Sequence, residues 1–190
     1  MKKLIVLTVL LTACAQAEHT EPIDMQESSI YNEARVTKKP FGLYVSPSNS
    51  PVSPERFTGY HLGTDFELFE GENPHDMEVK ALCKGKLLVK RMSEGYGGVA
   101  VQSCVYKEKP ITVLYGHLKI DSISAKPGDM LSKGEFIGVL GEGGTDETDG
   151  ERSHLHLSVR MGDRADLRGY FEEESGLTKW YDPMEVLDQL

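Results

Sequence analysis

Short apolar runs with alternating or β-branched residues dominate the chain after residue 40. The runs are separated by turn-forming residues, including Gly85, the Gly-Tyr-Gly-Gly segment at 95–98 and the Pro110 region. Runs of roughly four to eight such residues between Gly and Pro signals are typical of strands joined by hairpins. The pattern predicts strands at residues 41–45, 66–70, 77–83, 86–92, 99–106, 111–118 and 135–140.

A helix is predicted at the C-terminus. Asp182 is a suitable N-cap, Pro183 occupies the first helical position, and Glu185 stands three residues after the cap, as in a capping box. The predicted fold class is therefore mainly β: a single antiparallel β-sheet or sandwich domain with a central open groove, long loops and a short C-terminal helix. The apolar face of the helix would consist of Met184, Val186, Leu187 and Leu190.

The N-terminus has the pattern of an export signal. Lys2 and Lys3 precede an apolar run at 4–11, which is too short to span a bilayer. The following Leu-Thr-Ala-Cys resembles the lipobox of bacterial lipoproteins, which predicts acylation of Cys14 and a membrane anchor facing the periplasm or the cell exterior. The alternative is cleavage after Ala17, in an Ala-Gln-Ala segment, which would release a soluble secreted protein.

The chain divides into three predicted parts. Residues 1–14 form the lipoprotein signal, the polar and acidic residues 15–39 form a flexible tether, and residues 40–190 form the functional domain. A chain of 190 residues with 39% hydrophobic content can fill one sizeable core. The net charge of −9, with basic residues scattered among acids, excludes a nucleic-acid partner.

Four of the six histidines fall in three segments that favour one shared site. His154 and His156 are two residues apart, so both point to the same side of a strand. His61 and Asp65 lie four residues apart, and His117 follows a Leu-Tyr-Gly segment. The remaining two histidines, His19 and His75, lie in polar surroundings and are interpreted as solvated residues.

Two imidazoles and one carboxylate are a common ligand set for catalytic zinc, with the fourth position left open. Four histidines and one aspartate exceed that need, so two of the histidines must have another role. A structural zinc site rich in cysteine ligands is not expected, because Cys14 belongs to the anchor and the two remaining cysteines cannot build such a site alone. Cys83 and Cys104 lie at the ends of predicted strands, and an exported protein can keep them as a disulfide.

These motifs resemble the LytM/lysostaphin-type zinc endopeptidases of peptidase family M23. His61-x-x-x-Asp65 and His154-x-His156 look like the family's ligand motifs, and Tyr-Gly-His117-Leu is similar to a third family segment. The resemblance implies that His61, Asp65 and His156 hold one Zn²⁺ ion per chain. It also implies that His117 and His154 act on the attacking water and the developing oxyanion. Weaker family-like signatures occur at 95–97, 126–129, 133–138 and 182–183.

The resemblance also implies zinc-dependent hydrolysis of amide bonds in the peptide cross-links or stems of bacterial peptidoglycan. A protein activator is compatible with this function. The alternative is a non-hydrolytic LytM-type regulator of another cell-wall hydrolase, although such regulators typically lack part of the zinc or catalytic set, which is complete here. Residues 145–153 replace the family's usual Gly-Ser-Thr segment and proline before His-x-His, which bears on cleft shape and substrate choice.

Overall fold

The computed structural model describes residues 29–187 and 189–190. The described chain is mainly β, as predicted, and all of its strand pairs are antiparallel. In chain order its elements are β1 (Tyr44–Val45), β2 (Gly59–His61), β3 (Thr64–Glu67), β4 (Glu78–Lys80), β5 (Gly85–Ser93), β6 (Gly97–Tyr106), β7 (Lys109–Leu118), β8 (Met130–Leu131), β9 (Phe136–Val139), β10 (His154–Met161), β11 (Tyr170–Phe171), β12 (Trp180–Tyr181) and α1 (Pro183–Leu187).

The main sheet has the strand order β12-β10-β7-β6-β5-β8, and β3 also pairs with β10. The first half of β10 pairs with β3, whereas Val159 and Arg160 in its second half pair with β12. Two small sheets, β1-β2-β11 and β4-β9, lie beside the main sheet. The part of the chain that the structure describes also contains five 3₁₀ turns, one before β1 and four between strands, at Glu33–Arg35, Pro74–Asp76, Ile120–Ser122, Asp146–Thr148 and Glu174–Lys179.

The long hairpin strands agree with the hydrophobic pattern, but the short strands do not extend as far as predicted. β5, β6 and β7 begin one or two residues before the predicted runs and end within one residue of them. The strand predicted at 41–45 is reduced to β1, and the one predicted at 77–83 is reduced to β4. These short strands pair over only two or three residues, and loop contacts hold the rest of each run.

The larger hydrophobic core cluster includes Tyr115, Leu155 and Leu157 from the central strands of the main sheet, and a smaller cluster contains Val101 and Leu114. The C-terminal helix closes this core as predicted, with Val186 buried and Met184 packed against the cluster. Asp182 caps the helix, since the Met184 amide donates to its Oδ1 at 2.9 Å. Within residues 29–187 and 189–190, no helix combines the length and hydrophobicity needed to cross a membrane.

Cys83 and Cys104 form the predicted disulfide, with their Cα atoms 5.9 Å apart. The bond links the segment before β5 to the distal part of β6. Because the two strands are hairpin neighbours, the disulfide reinforces a pairing that the turn at 95–98 already favours.

The boundary of the predicted tether requires correction. Residues 29–39 pack on the domain, where Ile30, Arg35 and Lys39 are each at most 1% exposed. Arg35 makes a two-point ion pair with Glu72, with N···O distances of 2.6 and 2.8 Å. The charged side chains of Arg35 and Lys39 therefore form ion pairs with the domain. Residues 15–28 of the tether, the signal segment and its Cys14, and His19 lie outside the described residues.

Candidate metal centre and active site

Strand pairing brings the predicted ligands together from distant parts of the sequence. His61 ends β2, the chain changes sheet at residues 62–63, and Asp65 lies on β3 directly opposite His156 of β10. All three side chains are buried, with at most 3% of each residue exposed. The register of β3 against β10 therefore determines which carboxylate faces the His-x-His motif.

Three donor atoms converge on one point. His61 Nε2 lies 3.0 Å from His156 Nδ1 and 3.3 Å from Asp65 Oδ1, and His156 Nδ1 lies 3.1 Å from Asp65 Oδ1. In a tetrahedral zinc site with metal–ligand distances of about 2.0–2.1 Å, neighbouring donors are about 3.3–3.4 Å apart. The three atoms therefore nearly match one face of such a tetrahedron.

The hydrogen bonds of the imidazoles orient their lone pairs. The Pro40 carbonyl lies 3.2 Å from His61 Nδ1, and because a carbonyl only accepts, Nδ1 carries the hydrogen. With the hydrogen on Nδ1, the Nε2 atom of His61 faces Asp65 Oδ1, which only accepts, so a cation or a proton must lie between these two atoms. The Tyr96 hydroxyl lies 3.5 Å from Nε2 of His156, which leaves Nδ1 of that ring toward the other donors.

The charge states also suit a metal ion. Burial lowers the pKa of His156 to about 4, so the ring is neutral at physiological pH. Burial alone would raise the pKa of Asp65, but the neighbouring His154 and His61 and the hydrogen bonds that it accepts hold that pKa well below its usual range. The neutral ring of His156, the Nε2 atom of His61 and one carboxylate are a donor set that fits a divalent transition metal.

His154 and His117 lie on the other side of the same carboxylate. His154 donates from Nδ1 to the Arg152 carbonyl at 2.8 Å, and its Nε2 lies 3.2 Å from Asp65 Oδ2. The rings of His117 and His154 are neighbours, with centroids 4.2 Å apart. The predicted pairing of His154 and His156 on one side of the strand is confirmed, since both line a single cavity.

A β-bulge positions His117. Gly98 of β6 pairs with Leu118, but Val99 pairs with Gly116, which leaves His117 opposite no residue. Its φ of 61° lies in the left-handed region, which is uncommon for a residue with a side chain. Burial and the nearby His154 and His156 hold the pKa of His117 well below 6.5, and its Nδ1 has no hydrogen-bond partner among the described residues.

The cavity that contains these groups has a volume of about 270 Å³. Asp65, His117, His154 and His156 line it, whereas His61 is buried behind the metal-facing surface. Aromatic rings and charged groups form the walls: Phe57, Tyr96, Tyr170, Glu94, Glu151, Arg152 and Arg168. The predicted groove is thus present, with four of the five predicted residues in its lining and His61 directly behind them.

Three neighbours of the site were not singled out by the sequence pattern. Tyr96 appeared there only as part of a weak Gly-Tyr-Gly signature, Tyr170 not at all, and Arg152 only as part of the unusual segment at 145–153. Tyr170 pairs with His61 between β11 and β2. Of these three residues, only Tyr96 has a local signal in the sequence, because glycines flank it and glycines allow close packing. In the structure, Gly116 and Gly169 leave room for the Tyr96 ring, since a Cβ at either position would contact it.

His75 behaves as predicted and is separate from the site. It lies in the Pro74–Asp76 turn, is partly exposed and pairs with Glu147 at 3.0 Å. Among the described residues, the group that could hold a metal ion consists of His61, Asp65 and His156.

An antiparallel β fold with a His–Asp–His donor set and two further histidines in one cavity is typical of a metal-dependent hydrolase. The family model described as Peptidase family M23 matches residues 59–166, which is more than half of the chain. The chain therefore belongs to peptidase family M23, and its LytM/lysostaphin-type character, predicted from the motifs, is confirmed.

The chain is also similar to several solved structures. The structure of LytU is 25% identical, with a TM-score of 0.53, and the match covers 82% of this chain and 86% of that one. The solution structure of lysostaphin is 22% identical, with a TM-score of 0.49, covering 82% of this chain and 52% of lysostaphin. Lysostaphin from Staphylococcus simulans matches at 24% identity and a TM-score of 0.45, covering 67% and 44%. No curated protein sequence matches the chain.

Proposed function

We propose that this protein is a zinc-dependent endopeptidase that hydrolyses amide bonds in the peptide cross-links or stems of bacterial peptidoglycan. One observation carries the proposal: the donor atoms of His61, Asp65 and His156 converge at 3.0–3.3 Å beneath a cavity that also contains His117 and His154. A regulator that does not hydrolyse has no need to retain two histidines beside the metal ligands. The substrate class follows from family membership and the predicted export signal.

His61, Asp65 and His156 would hold the zinc ion through Nε2, Oδ1 and Nδ1. When bound there, zinc supplies Lewis-acid polarisation of a peptide carbonyl and lowers the pKa of water at the metal to about 7. The chain itself provides a buried, preorganised set of donors, which reduces the rearrangement needed at each turnover.

His117 and His154 would handle protons and the developing oxyanion. Burial holds the pKa of His117 well below its ordinary value, and its Nδ1 has no partner within the described part of the chain, so it can accept a proton from water or donate one to a leaving amine. His154 is held by the Arg152 carbonyl, and its Nε2 is thereby directed at Asp65 Oδ2, next to the oxygen that faces the metal ligands. The aromatic walls would exclude bulk water from a bound peptide.

A set of histidine variants tests the separation between metal ligand and catalytic group. His156→Ala should lose both zinc and hydrolysis, because two protein ligands rarely retain zinc. His117→Ala should keep zinc stoichiometry and fold, while hydrolysis falls by about 10²-fold or more. His154→Ala should resemble His117→Ala, with some loss of zinc affinity because it contacts Asp65. His75→Ala is the matched control, since this histidine lies outside the site and should leave both properties unchanged.

The measurements are zinc content by mass spectrometry and digestion of purified sacculi, with mass spectrometry of the released muropeptides. The identity of those fragments would show which bond is cut. Wild-type turnover by His117→Ala would contradict its catalytic assignment. A zinc-loaded wild-type protein that releases no muropeptide, alone or with an activating partner, would place the protein among the regulators.

We further propose that the mature protein is attached to a membrane through acylated Cys14 and faces the periplasm or the cell exterior. The support is the lipobox-like segment directly after the apolar run. Release as a soluble protein after Ala17 is the competing outcome. Partitioning of the native protein between detergent and aqueous phases separates the two.

A further inference from the structure

Asp65 uses its two carboxylate oxygens for different partners. Oδ1 faces the two metal-site imidazoles, whereas Oδ2 accepts a hydrogen bond from Arg152 Nη2 at 2.7 Å. We infer that Arg152 is a positioning residue of the metal site, which holds Oδ2 so that the carboxylate presents Oδ1 to the ion. This inference rests on the zinc site of the proposed function and deepens it, because it assigns a role to a residue in the segment where the chain departs from the usual family sequence.

Glu67 fixes the guanidinium of Arg152. Arg152 Nη2 lies 2.6 Å from Glu67 Oε1, and its Nε lies 3.0 Å from both Glu67 oxygens. Glu67 and Asp65 are two residues apart on β3, so their side chains lie on the same side of the strand. The rigid fork of one arginine therefore spans both carboxylates, with its side chain only 19% exposed.

The backbone of Arg152 contributes a second restraint. Its carbonyl accepts the hydrogen of His154 Nδ1 at 2.8 Å, which fixes the orientation of that imidazole. One residue thus orients a metal ligand through its side chain and a histidine of the proposed catalytic pair through its carbonyl. Arg152 lies two residues before His154, and His154 pairs with Glu67 of β3. This pairing brings Arg152, His154 and Glu67 together.

Orientation, rather than charge, is the property that Arg152 supplies. The positive guanidinium and the negative Glu67 carboxylate form a pair, so removal of both leaves the net charge of the site unchanged. Without the pair, Asp65 Oδ2 loses its bond to Arg152 and keeps its contact with His154 Nε2 at 3.2 Å, so the carboxylate is less restrained and can turn to offer both oxygens to a metal. Lysine cannot replace the function fully, because an ammonium group lacks the planar fork that reaches two carboxylates at once.

The test is a charge-balanced double variant, Arg152→Gln with Glu67→Gln, in the full-length protein. A control is Arg160→Gln with Asp166→Asn, which removes another arginine–carboxylate pair of the same domain, with side chains 17% and 14% exposed. It also releases Arg168 of the cavity wall from Asp166, so it disturbs the wall without touching Asp65. Zinc affinity is measured by competition with a chromophoric chelator. The visible absorption of the Co²⁺-substituted protein reports the coordination number, because tetrahedral Co²⁺ absorbs much more strongly than five- or six-coordinate Co²⁺.

The Arg152/Glu67 variant should bind zinc about 10-fold or more weakly and show weaker Co²⁺ bands, whereas the Arg160/Asp166 control should match the wild type. A folded Arg152/Glu67 variant with wild-type zinc affinity and Co²⁺ spectrum would overturn the inference. If that variant does not fold, Arg152→Lys is measured instead, and a wild-type spectrum in that variant would overturn the inference equally.

The two proposals fail in different ways. A wild-type protein that binds zinc but does not hydrolyse cell wall contradicts the proposed enzymatic function. The role of Arg152 is then still decided by the zinc affinity and the Co²⁺ spectrum of the Arg152/Glu67 variant. A wild-type protein that binds no zinc overturns both.

Discussion

Gly63 offers a steric test of the metal site, because a single added methyl group should displace a ligand. Gly63 lies between β2 and β3, and its backbone is outside the left-handed region that favours glycine. A Cβ at this position would lie 2.7 Å from His156 Nε2 and 2.5 Å from the Leu157 carbonyl oxygen. Ordinary contacts of a Cβ begin at 3.4 Å. The imidazole would therefore have to retreat by about 0.7 Å and the carbonyl by about 0.9 Å.

Neither group can retreat without cost. The Leu157 carbonyl belongs to the central strand β10, and the His156 ring is held between Tyr96, His61 and Asp65. We expect Gly63→Ala to lower the free energy of unfolding by about 1–3 kcal/mol, as overpacking does. Zinc affinity should fall by about 10- to 100-fold, because the Nδ1 donor moves by a large part of a bond length.

The assay combines chelator competition for zinc with thermal unfolding in the presence and absence of chelator. Gly134→Ala is the control, since Gly134 has a φ of +80° and nothing within 4 Å of an added Cβ. That control should lose about 1–2 kcal/mol through backbone strain and keep its zinc affinity. Equal zinc affinities for Gly63→Ala and Gly134→Ala would refute the steric reasoning.

Three further predictions concern stability and attachment. Reduction of the Cys83–Cys104 bond, which closes a separation of 21 residues, should lower the free energy of unfolding by about 3 kcal/mol in urea titrations; unchanged midpoints would contradict this. Arg35 holds the pKa of Glu72 below its ordinary value of 4.5, so the stabilisation is present above that pH and is lost as the pH falls through the lower folded-state pKa. Glu72→Gln should therefore be less stable than wild type at neutral pH, and the difference should shrink in acid unfolding curves measured below pH 4.5. If Cys14 is acylated, wild-type protein should enter the detergent phase and Cys14→Ala should remain aqueous, whereas identical partitioning would remove the anchor.

Local features of the sequence were sufficient for much of the fold. The long strands β5, β6 and β7 follow from apolar runs between Gly and Pro signals, because strand propensity and turn chemistry act over a few residues. The C-terminal helix follows from Asp182 and Pro183 for the same reason. The two-residue spacing of His154 and His156 placed both rings in one cavity, since side chains alternate along a strand.

Other features depend on contacts between segments far apart in the chain. The tether was predicted to reach Lys39 because residues 15–39 show no hydrophobic period, yet Arg35 and Lys39 are buried through ion pairs with Glu72 and Glu55. Local periodicity carries no information about such pairs. The two-residue strands β11 and β12 likewise form only because longer neighbours offer free edges.

The metal centre shows the same division. The residue types and the parity of His-x-His are properties of the sequence by itself, and they are enough to indicate a site for a metal ion. The alignment of Asp65 with His156 required the register between β3 and β10, which joins residues 91 positions apart. The bulge that turns His117 into the cavity and the fork of Arg152 on Asp65 and Glu67 also arise only when these strands meet. A strand's period specifies which face a side chain occupies, but only tertiary pairing specifies which side chain lies opposite it.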